Sequence, residues 1–517
     1  MNSDISYATL GELVKFTFSA FGVMPRKNSD DGDFDETAKK TLNQLLLRLS
    51  KEEGKLSENL NKASDTFSQL ISSYIPNPGL TIVMHSVLSD LFLNYNHLII
   101  NDGTYLSKTE SVRFFLEFKA LNLFVESLHI HSLQHRALLS GLTFPKDKFW
   151  FLPTIEADGK ITQPLSKTMH WIYEQCGVSQ RQFHMPLENE EVEIFVLEQN
   201  YENASRWSRG KTLPSLVSLL DNFRKSFAYN KFELSPSFIM SAESALLLAR
   251  LSTFISTSIS NELGSKVLQS LVSKCERYFE YIDEDILEFK NEYQRVLNAH
   301  TYSPEQQSTV WDYMLSDWEN FFYQKKEEVA SYLQKKADTN STLSTAVVDA
   351  LIQKYGSYSA IMPIELANEL NSRPIDRVFV NGLGKGLELE KDTSLSLSSV
   401  KAYREELAGI GLESSLDWLP FWLEGVVYYR NEDFESAFNA FDAAFHKAKY
   451  KAGINQYKLL NHYVETAAKI DNRRAFNKGL QWANYIGIKI RWLRDQEQTE
   501  ESIRVAHTIL KRGNYSI

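Results

Sequence analysis

Apolar positions recur along most of this chain at steps of three and four, the period of an α-helix with one buried face. Tyr7 to Phe21 follows the pattern, and Glu36 to Ile75 follows it for longer, with a break expected near Gly54. Within the second stretch Leu56, Leu60, Ala63, Phe67, Leu70 and Tyr74 alternate steps of four and three. So narrow a seam suits a helix hairpin inside a domain, or a coiled coil. An acidic loop (Asp30, Asp31, Asp33, Asp35) precedes it and Pro76-Asn77-Pro78-Gly79 ends it. Leu80 to Ile100 is the most hydrophobic long window, yet it contains His85, Ser86, Ser89, Asp90, Asn94, Asn96 and His97. A bilayer-spanning helix would not carry that many polar groups, so a core helix is expected and no membrane contact.

The texture changes between 149 and 162. Asp158-Gly159 between apolar stretches is a hairpin signal, so a short β excursion is expected there. Helical patterning resumes from Ser235 through Ala299. Ser303-Pro304-Glu305-Gln306 then combines a capping serine, a proline at the first helical position and a glutamine three residues after the cap. Trp311, Met314, Leu315, Trp318, Phe321 and Phe322 continue along one side as core. Arg377 to Val380 reads as a strand, and Asn381-Gly382-Leu383-Gly384-Lys385-Gly386 after it as a flexible turn, since it lacks phosphate-loop spacing. Polar stretches at Ala337 to Ser344 and Glu390 to Ser399 read as joints.

Composition strengthens the helical reading. Glycine (22) and proline (13) both fall below the usual shares in a chain of 517 residues, as long helices with short connections require. The expected fold is therefore mainly all-α and multidomain. The expected units are an N-terminal helical domain (1–145), a hairpin plus small module (146–230), a long-helix domain (235–340), a mixed connector (341–414) and a C-terminal helical repeat (415–517). The net charge of −10 gives no overall positive field for nonspecific nucleic-acid binding, though a local basic surface remains compatible with it. Cys176 and Cys275 support neither a disulfide framework nor a zinc ribbon, and they fit a reducing compartment. Met-Asn-Ser-Asp-Ile-Ser lacks a basic segment followed by an apolar run, so a cytoplasmic location is expected.

The strongest local motif lies between Trp418 and Tyr450. Gly425 and Tyr428 fall on one helix and Ala437, Phe441 and Ala444 on the next, small residues set against bulky ones. This resembles the tetratricopeptide repeat, with Phe421 where that family prefers tryptophan. Glu424 and Lys449 depart from it, standing where leucine and proline are usual. A degenerate second pair would follow at Lys451 to Ile470 and Arg474 to Ile486, with Ala475, Leu480, Trp482 and Ala483 inward and Glu500 to Arg512 as a cap. The resemblance, covering about 415–510, implies a concave surface that holds a protein partner.

Residues 165 to 225 carry a second likeness. Met169, Ile172 and Tyr173 form the apolar side of a helix, and Gly177-Val178-Ser179-Gln180-Arg181-Gln182-Phe183 opens another. Ala204 to Lys211 ends a third at Gly210, and Leu213-Pro214-Ser215-Leu216 with Leu219 and Leu220 starts a fourth. The order resembles the lambda-repressor-like helix-turn-helix. That resemblance implies Gln180 at a phosphate or base edge, Asn200, Tyr201, Asn203 and Arg206 along the major groove, and Arg209 and Lys211 on phosphates. The segment between Ser179 and Trp207 is longer than the family allows, and it carries Glu188, Glu190, Glu191, Glu193 and Glu198, which oppose a phosphate backbone.

Two weaker signals complete the reading. Arg295 and His300 have the spacing of the HEPN ribonucleases, but Val296 replaces the polar residue that follows the arginine there. His129, His131 and His135 cluster near Glu126, with His131 and His135 at the four-residue spacing metal sites use; lacking a second ligand pair, they read as structural. No cofactor, metal or enzyme signature is expected. The leading expectation is a cytosolic, bacterial-type adaptor or regulator that binds a partner protein through its C-terminal repeat, with homo-oligomerisation left open. The alternatives are a sequence-specific DNA-binding regulator and a helical ribonuclease or toxin. Reader and toxin modules both occur in bacterial phage defence, a setting compatible with either.

Overall fold

The computed structural model describes residues 7–23, 36–52, 54–75, 77–156, 158–186, 193–230, 232, 234–337, 345–372, 377–493 and 499–513. The acidic loop at 30–35, Glu188, Glu190, Glu191 and the joint at 338–344 lie outside them. The chain is helical almost throughout, as its periodicity requires, with one two-stranded sheet among the described residues.

The first helices are α1 (Leu10–Phe21), α2 (Glu36–Ser50), α3 (Leu56–Tyr74), α4 (Pro78–Asn101), α5 (Lys108–Phe115), α6 (Leu121–Gln134) and α7 (Arg136–Leu139), with a π-helical turn, Leu116–Ala120, before α6. Their starts follow local chemistry. Thr9 and Glu12 form a capping box on α1, and the Asn77 side chain caps α4 beside Pro78. Gly54 takes a φ of +80° in the expected break. The hairpin pairs β1 (Thr154–Ile155) with β2 (Ile161–Thr162), antiparallel, around Gly159 at φ +84°.

Four helices follow: α8 (Pro164–Gln175), α9 (Gln180–His184), α10 (Ile194–Ser208) and α11 (Leu216–Asn230). They pack on α12 (Pro236–Leu263), a central helix long and apolar enough to cross a membrane, of which more than half is buried within the fold. Next come α13 (Ser265–Ala299) and α14 (Pro304–Ala337), the latter started by Ser303 and Gln306 as expected, then α15 (Thr345–Tyr355) and α16 (Ile361–Ser372). The last helices are α17 (Arg377–Lys391), α18 (Leu397–Gly409), α19 (Trp418–Arg430), α20 (Phe434–Ala448), α21 (Asn455–Lys469), α22 (Arg473–Ile486) and α23 (Glu500–Arg512).

The expected strand at Arg377 to Val380 and turn at Asn381 to Gly386 are instead one continuous helix, α17. Gly382 and Gly386 are four apart and share a helical face. A methyl group on Gly382 would meet Leu407 and Leu412, and one on Gly386 would collide with Leu419 and with the Tyr403 hydroxyl at 2.6 Å. The glycines admit neighbours rather than break the helix.

The largest core runs across the expected boundaries. Phe18, Phe67, Tyr95 and Ile99 of the first helices share it with Trp418, Trp422, Phe441 and Tyr463. The loop between α20 and α21, with the first turn of α21, ties the C-terminal helices to the N-terminal ones. Tyr7 N–H donates to Tyr450 O (3.1 Å), Thr104 N–H to Lys451 O (2.8 Å) and Gln456 Nε2 to Ile99 O (3.2 Å). Gly453, at φ +54°, lets this loop come within 2.5 Å, measured from a built Cβ, of the Asp102 carbonyl carbon. Lys449 pairs with Glu52, which also accepts from the Tyr450 hydroxyl at 3.2 Å.

Candidate interaction surfaces

In the C-terminal region the expected small-against-large contact is present. A Cβ on Gly425 would strike the ring of Phe441, so α19 and α20 close on each other only because position 425 has no side chain. Ala437, Phe441 and Ala444 are fully buried, while Tyr428 is half-buried. Phe421 is half-buried beneath Arg404 and Lys447, whose charges lie 4.9 and 5.7 Å from its ring centre.

The turn between the helices recurs one pair later. Asp433 N–H donates to Tyr428 O (3.0 Å), Glu432 adopts φ +61°, and the Asp433 side chain caps Ser436 N–H (3.1 Å). At a constant offset, Asn472 N–H donates to Ala467 O (2.8 Å), Asp471 adopts φ +58°, and Asn472 caps Ala475 N–H (3.0 Å). Gly386 in α17 stands at that same offset before Gly425. Gly479 in α22 receives Val464 of α21 so closely that a built Cβ lies 2.6 Å from its methyl group. The pairs α19–α20 and α21–α22 thus share one turn geometry, with α17 and α18 before them and α23 after.

Between pairs Trp422 Nε1 donates to His462 Nδ1 (2.8 Å) and the Tyr429 hydroxyl to Glu465; within α21–α22 Trp482 Nε1 donates to Gln456 Oε1 (3.2 Å). Such bonds fix the register of stacked helices because a mispaired buried polar group is costly. The side on which α19 and α21 would line a hollow is occupied by the chain itself. Leu459 to Ala468 are buried, with α23 contributing Ala506 and Leu510 to that core and Arg491 N–H donating to Asn461 Oδ1 (3.0 Å).

Exposed apolar side chains stand on the leading helices, as Ile454 and Val505 do later in the region. Val380 on α17 is 55% exposed and Ile410, just past α18, is 43% exposed. Gly382 abuts Leu407 and Leu412, which flank Ile410 in sequence, while Val380, two residues before Gly382, stands on the opposite side of α17. Sequence reading missed this edge because it took α17 for a strand and a turn.

The second region is the module of α8 to α11. Ser179 and Gln182 form a capping box on α9, and Gly177 and Gly210 take the left-handed conformation at φ +68° and +67°. Its centre is His184, with no exposed surface, ringed by Phe183, Tyr173 and Phe223. The Ser226 hydroxyl donates to Asn222 O (2.9 Å), so its oxygen accepts from His184 Nδ1–H (2.8 Å), leaving Nε2 to accept from the Tyr173 hydroxyl (2.9 Å). Burial pushes this imidazole down to about 3, so it is neutral at physiological pH.

The residues expected to read DNA differ in exposure. Asn200 turns toward α11, where its carbonyl and Oδ1 accept from Asn222 Nδ2 at 3.1 and 3.4 Å. Gln180, Tyr201 and Asn203 are half-buried; Arg206, Arg209 and Lys211 are exposed at the C-terminal end of α10. The outward sector of α10 before them carries Ile194, Phe195, Glu198, Gln199 and Glu202, all exposed.

The remaining sites resolve into local packing. Arg295 on α13 bonds to Glu292 (2.8 Å), whereas His300 lies beyond the helix in extended backbone, so the helical spacing ends before it; both are exposed. His129 spans Val125 O (2.7 Å) and Asp283 (3.1 Å), and His131 spans Gln134 (3.0 Å) and Asp90 (3.0 Å). Burial opposes the Asp90 charge, but hydrogen bonds from His131 and Ser127 outweigh it and hold its carboxyl below the usual range; the same bond raises His131. His135 caps the end of α6. Among the described residues no group of three or more histidine, cysteine or carboxylate side chains is placed to hold a metal ion.

No protein-family model, no curated protein and no solved structure matches this chain.

Proposed function

We propose that the chain is an adaptor that binds a protein partner through the leading edge of its C-terminal helix-pair array. The observation that carries this reading is the exposure of two apolar side chains, Val380 on α17 and Ile410 just after α18, on the leading helices of the C-terminal region. An exposed apolar end on stacked helix pairs is a surface on which a further helix can be laid, by the packing the array already uses. Packing of α23 and residues 488–493 against the buried helix α21 favours a contact at this edge over one on the inner helices.

The test is affinity capture from native extract with the intact chain and its Val380→Glu/Ile410→Glu variant. A partner held by the parent and lost by the variant is expected; an unchanged set of captured proteins refutes the reading. The second reading, DNA recognition, rests on the exposed Arg206, Arg209 and Lys211. A gel shift decides it. It requires the parent to retard duplex DNA at low salt and Arg206→Glu/Arg209→Glu to abolish that retardation.

A further inference from the structure

The last stretch of the chain is charged against the rest of it. Residues 471–517 carry nine lysines and arginines against five aspartates and glutamates, in a chain whose net charge is −10. Part of that excess gathers on α22, which contains no carboxylate. Arg473, Arg474, Asn477, Lys478 and Gln481 are exposed within one sector of about 140°, and Ala475, Phe476, Gly479 and Ala483 are buried on the opposite side. Three carboxylates approach the sector from outside. Asp471, before the first turn, pairs with Lys511 of α23 (2.9 Å), and Glu52 pairs with Lys449. Asp442 of α20 accepts from the Tyr463 hydroxyl (3.0 Å) and lies 3.6 Å from His446 Nε2, to which Lys478 donates (2.7 Å). A ring nitrogen that accepts carries no proton, and burial with the Lys478 charge holds His446 below its usual range, so this bond leaves the lysine charge in place. Among the described residues Arg473, Arg474 and Lys478 form no ion pair. With Asp471 and Glu52 each paired from another element, these three cations face Asp442 alone.

The fold does not call for this charge. Arg473 and Arg474 occupy the first turn of α22, where the positive end of the helix favours carboxylates and opposes cations. No large apolar side chain of α22 is exposed. The face therefore lacks the anchor on which protein contacts depend, and an aromatic ring on which unpaired bases would stack. Cations and amides on a polar surface are what the backbone of a duplex meets in its complexes. We infer that the outward face of α22 binds the phosphate backbone of a nucleic-acid duplex, independently of sequence, through Arg473, Arg474 and Lys478, with the Asn477 amide as a neutral donor between them. From Arg473 to Lys478 the axis rises about 7.5 Å, the span of about two to three phosphates of one strand. The surface is separate from the array edge and from the arginines of α10, so the inference stands or falls without either.

The test uses the intact chain and fluorescence anisotropy with three labelled probes. They are a DNA duplex of about 20 base pairs, a single strand of the same length and a polyglutamate peptide of about 20 residues. The duplex is expected to bind at about 50 mM salt and to lose about forty-fold in affinity by about 200 mM, the slope for three neutralised phosphates. Arg474→Gln/Lys478→Gln should weaken it about ten-fold at the lower salt and reduce the loss over that range to about three- to four-fold, the slope for one phosphate. Both positions are exposed, so the thermal melt should not fall, which separates loss of contact from loss of fold. Arg206→Glu/Arg209→Glu should leave duplex binding unchanged. Four results overturn the inference. The duplex fails to bind at the lower salt; the glutamine variant binds it within about two-fold of the parent; the single strand or polyglutamate binds as well as the duplex, which would give the face to unpaired strands or to an acidic protein; or Arg206→Glu/Arg209→Glu abolishes duplex binding, which would assign it to α10.

Discussion

Acidification should loosen the module of α8 to α11 through one side chain. His184 has a pKa of about 3 in the folded chain, against about 6.5 for an unperturbed histidine. Between those values the unfolded chain binds a proton that the folded one does not, so stability falls as pH drops from about 6.5 toward 3. At 1.36 kcal/mol per unit, lowering the pH from 7 to 5 removes about 2 kcal/mol, a rise of about thirty-fold in the open population. The loss arises because protonated His184 would be a charge enclosed by Phe183, Tyr173 and Phe223. Hydrogen exchange read by mass spectrometry on peptides from α8 to α11, corrected for intrinsic pH dependence, measures that opening directly. In His184→Gln the amide retains a donor for Ser226 and an acceptor for Tyr173 but cannot titrate. Its protection should therefore change little between the two pH values. Equal protection at pH 7 and 5 in the parent, or the same loss in His184→Gln, would refute the reasoning.

Glycine substitutions in one helix give opposite outcomes. Gly384→Ala meets nothing within 4 Å and should stabilise by up to about 1 kcal/mol through helix propensity. Gly386→Ala, two residues on, collides with Leu419 and Tyr403 and should destabilise by about 1–3 kcal/mol, as should Gly425→Ala against Phe441. Denaturant midpoints at constant slope check all three, and stabilisation by Gly386→Ala or Gly425→Ala would contradict the packing. A fragment ending at residue 414 should lose its cooperative melt and bind apolar dyes, because Tyr95, Leu98 and Ile99 lose the core they share with residues 418–510. Burial pushes the Cys275 thiol up to about 12, so iodoacetamide at pH 8 should modify it about a thousand-fold more slowly in the native than in the unfolded chain.

Local chemistry was legible in the sequence wherever one segment decides the outcome. Asp158-Gly159 marks the hairpin, Ser303 and Gln306 start α14, and the five residues from Gly425 to Ala444 mark a packed pair of helices. What was illegible depends on neighbours distant in sequence. Gly382, Gly384 and Gly386 read as chain breakers because nothing local shows that Leu412 and Leu419 arrive on their face. The turn between Ile470 and Arg474 was expected, but not that Asp471 and Asn472 repeat the backbone geometry of Glu432 and Asp433. The burial of α21 along its length could not be foreseen either, since it depends on α23, which the sequence reading took only as a terminal cap and which brings Ala506 and Leu510 to the same core. One member of the candidate DNA-reading set is drawn inward for a similar reason. Asn200 is polar and helical, as a reader residue would be, but Asn222 on the next helix claims it.

The most direct test of the adaptor account places a photoreactive benzoylphenylalanine at position 410 of the intact chain and, separately, at position 287, an exposed leucine on α13 away from the array. After irradiation in native extract, the account predicts one partner protein cross-linked through position 410 and not through 287. No adduct at 410, or the same adducts at both positions, would contradict it.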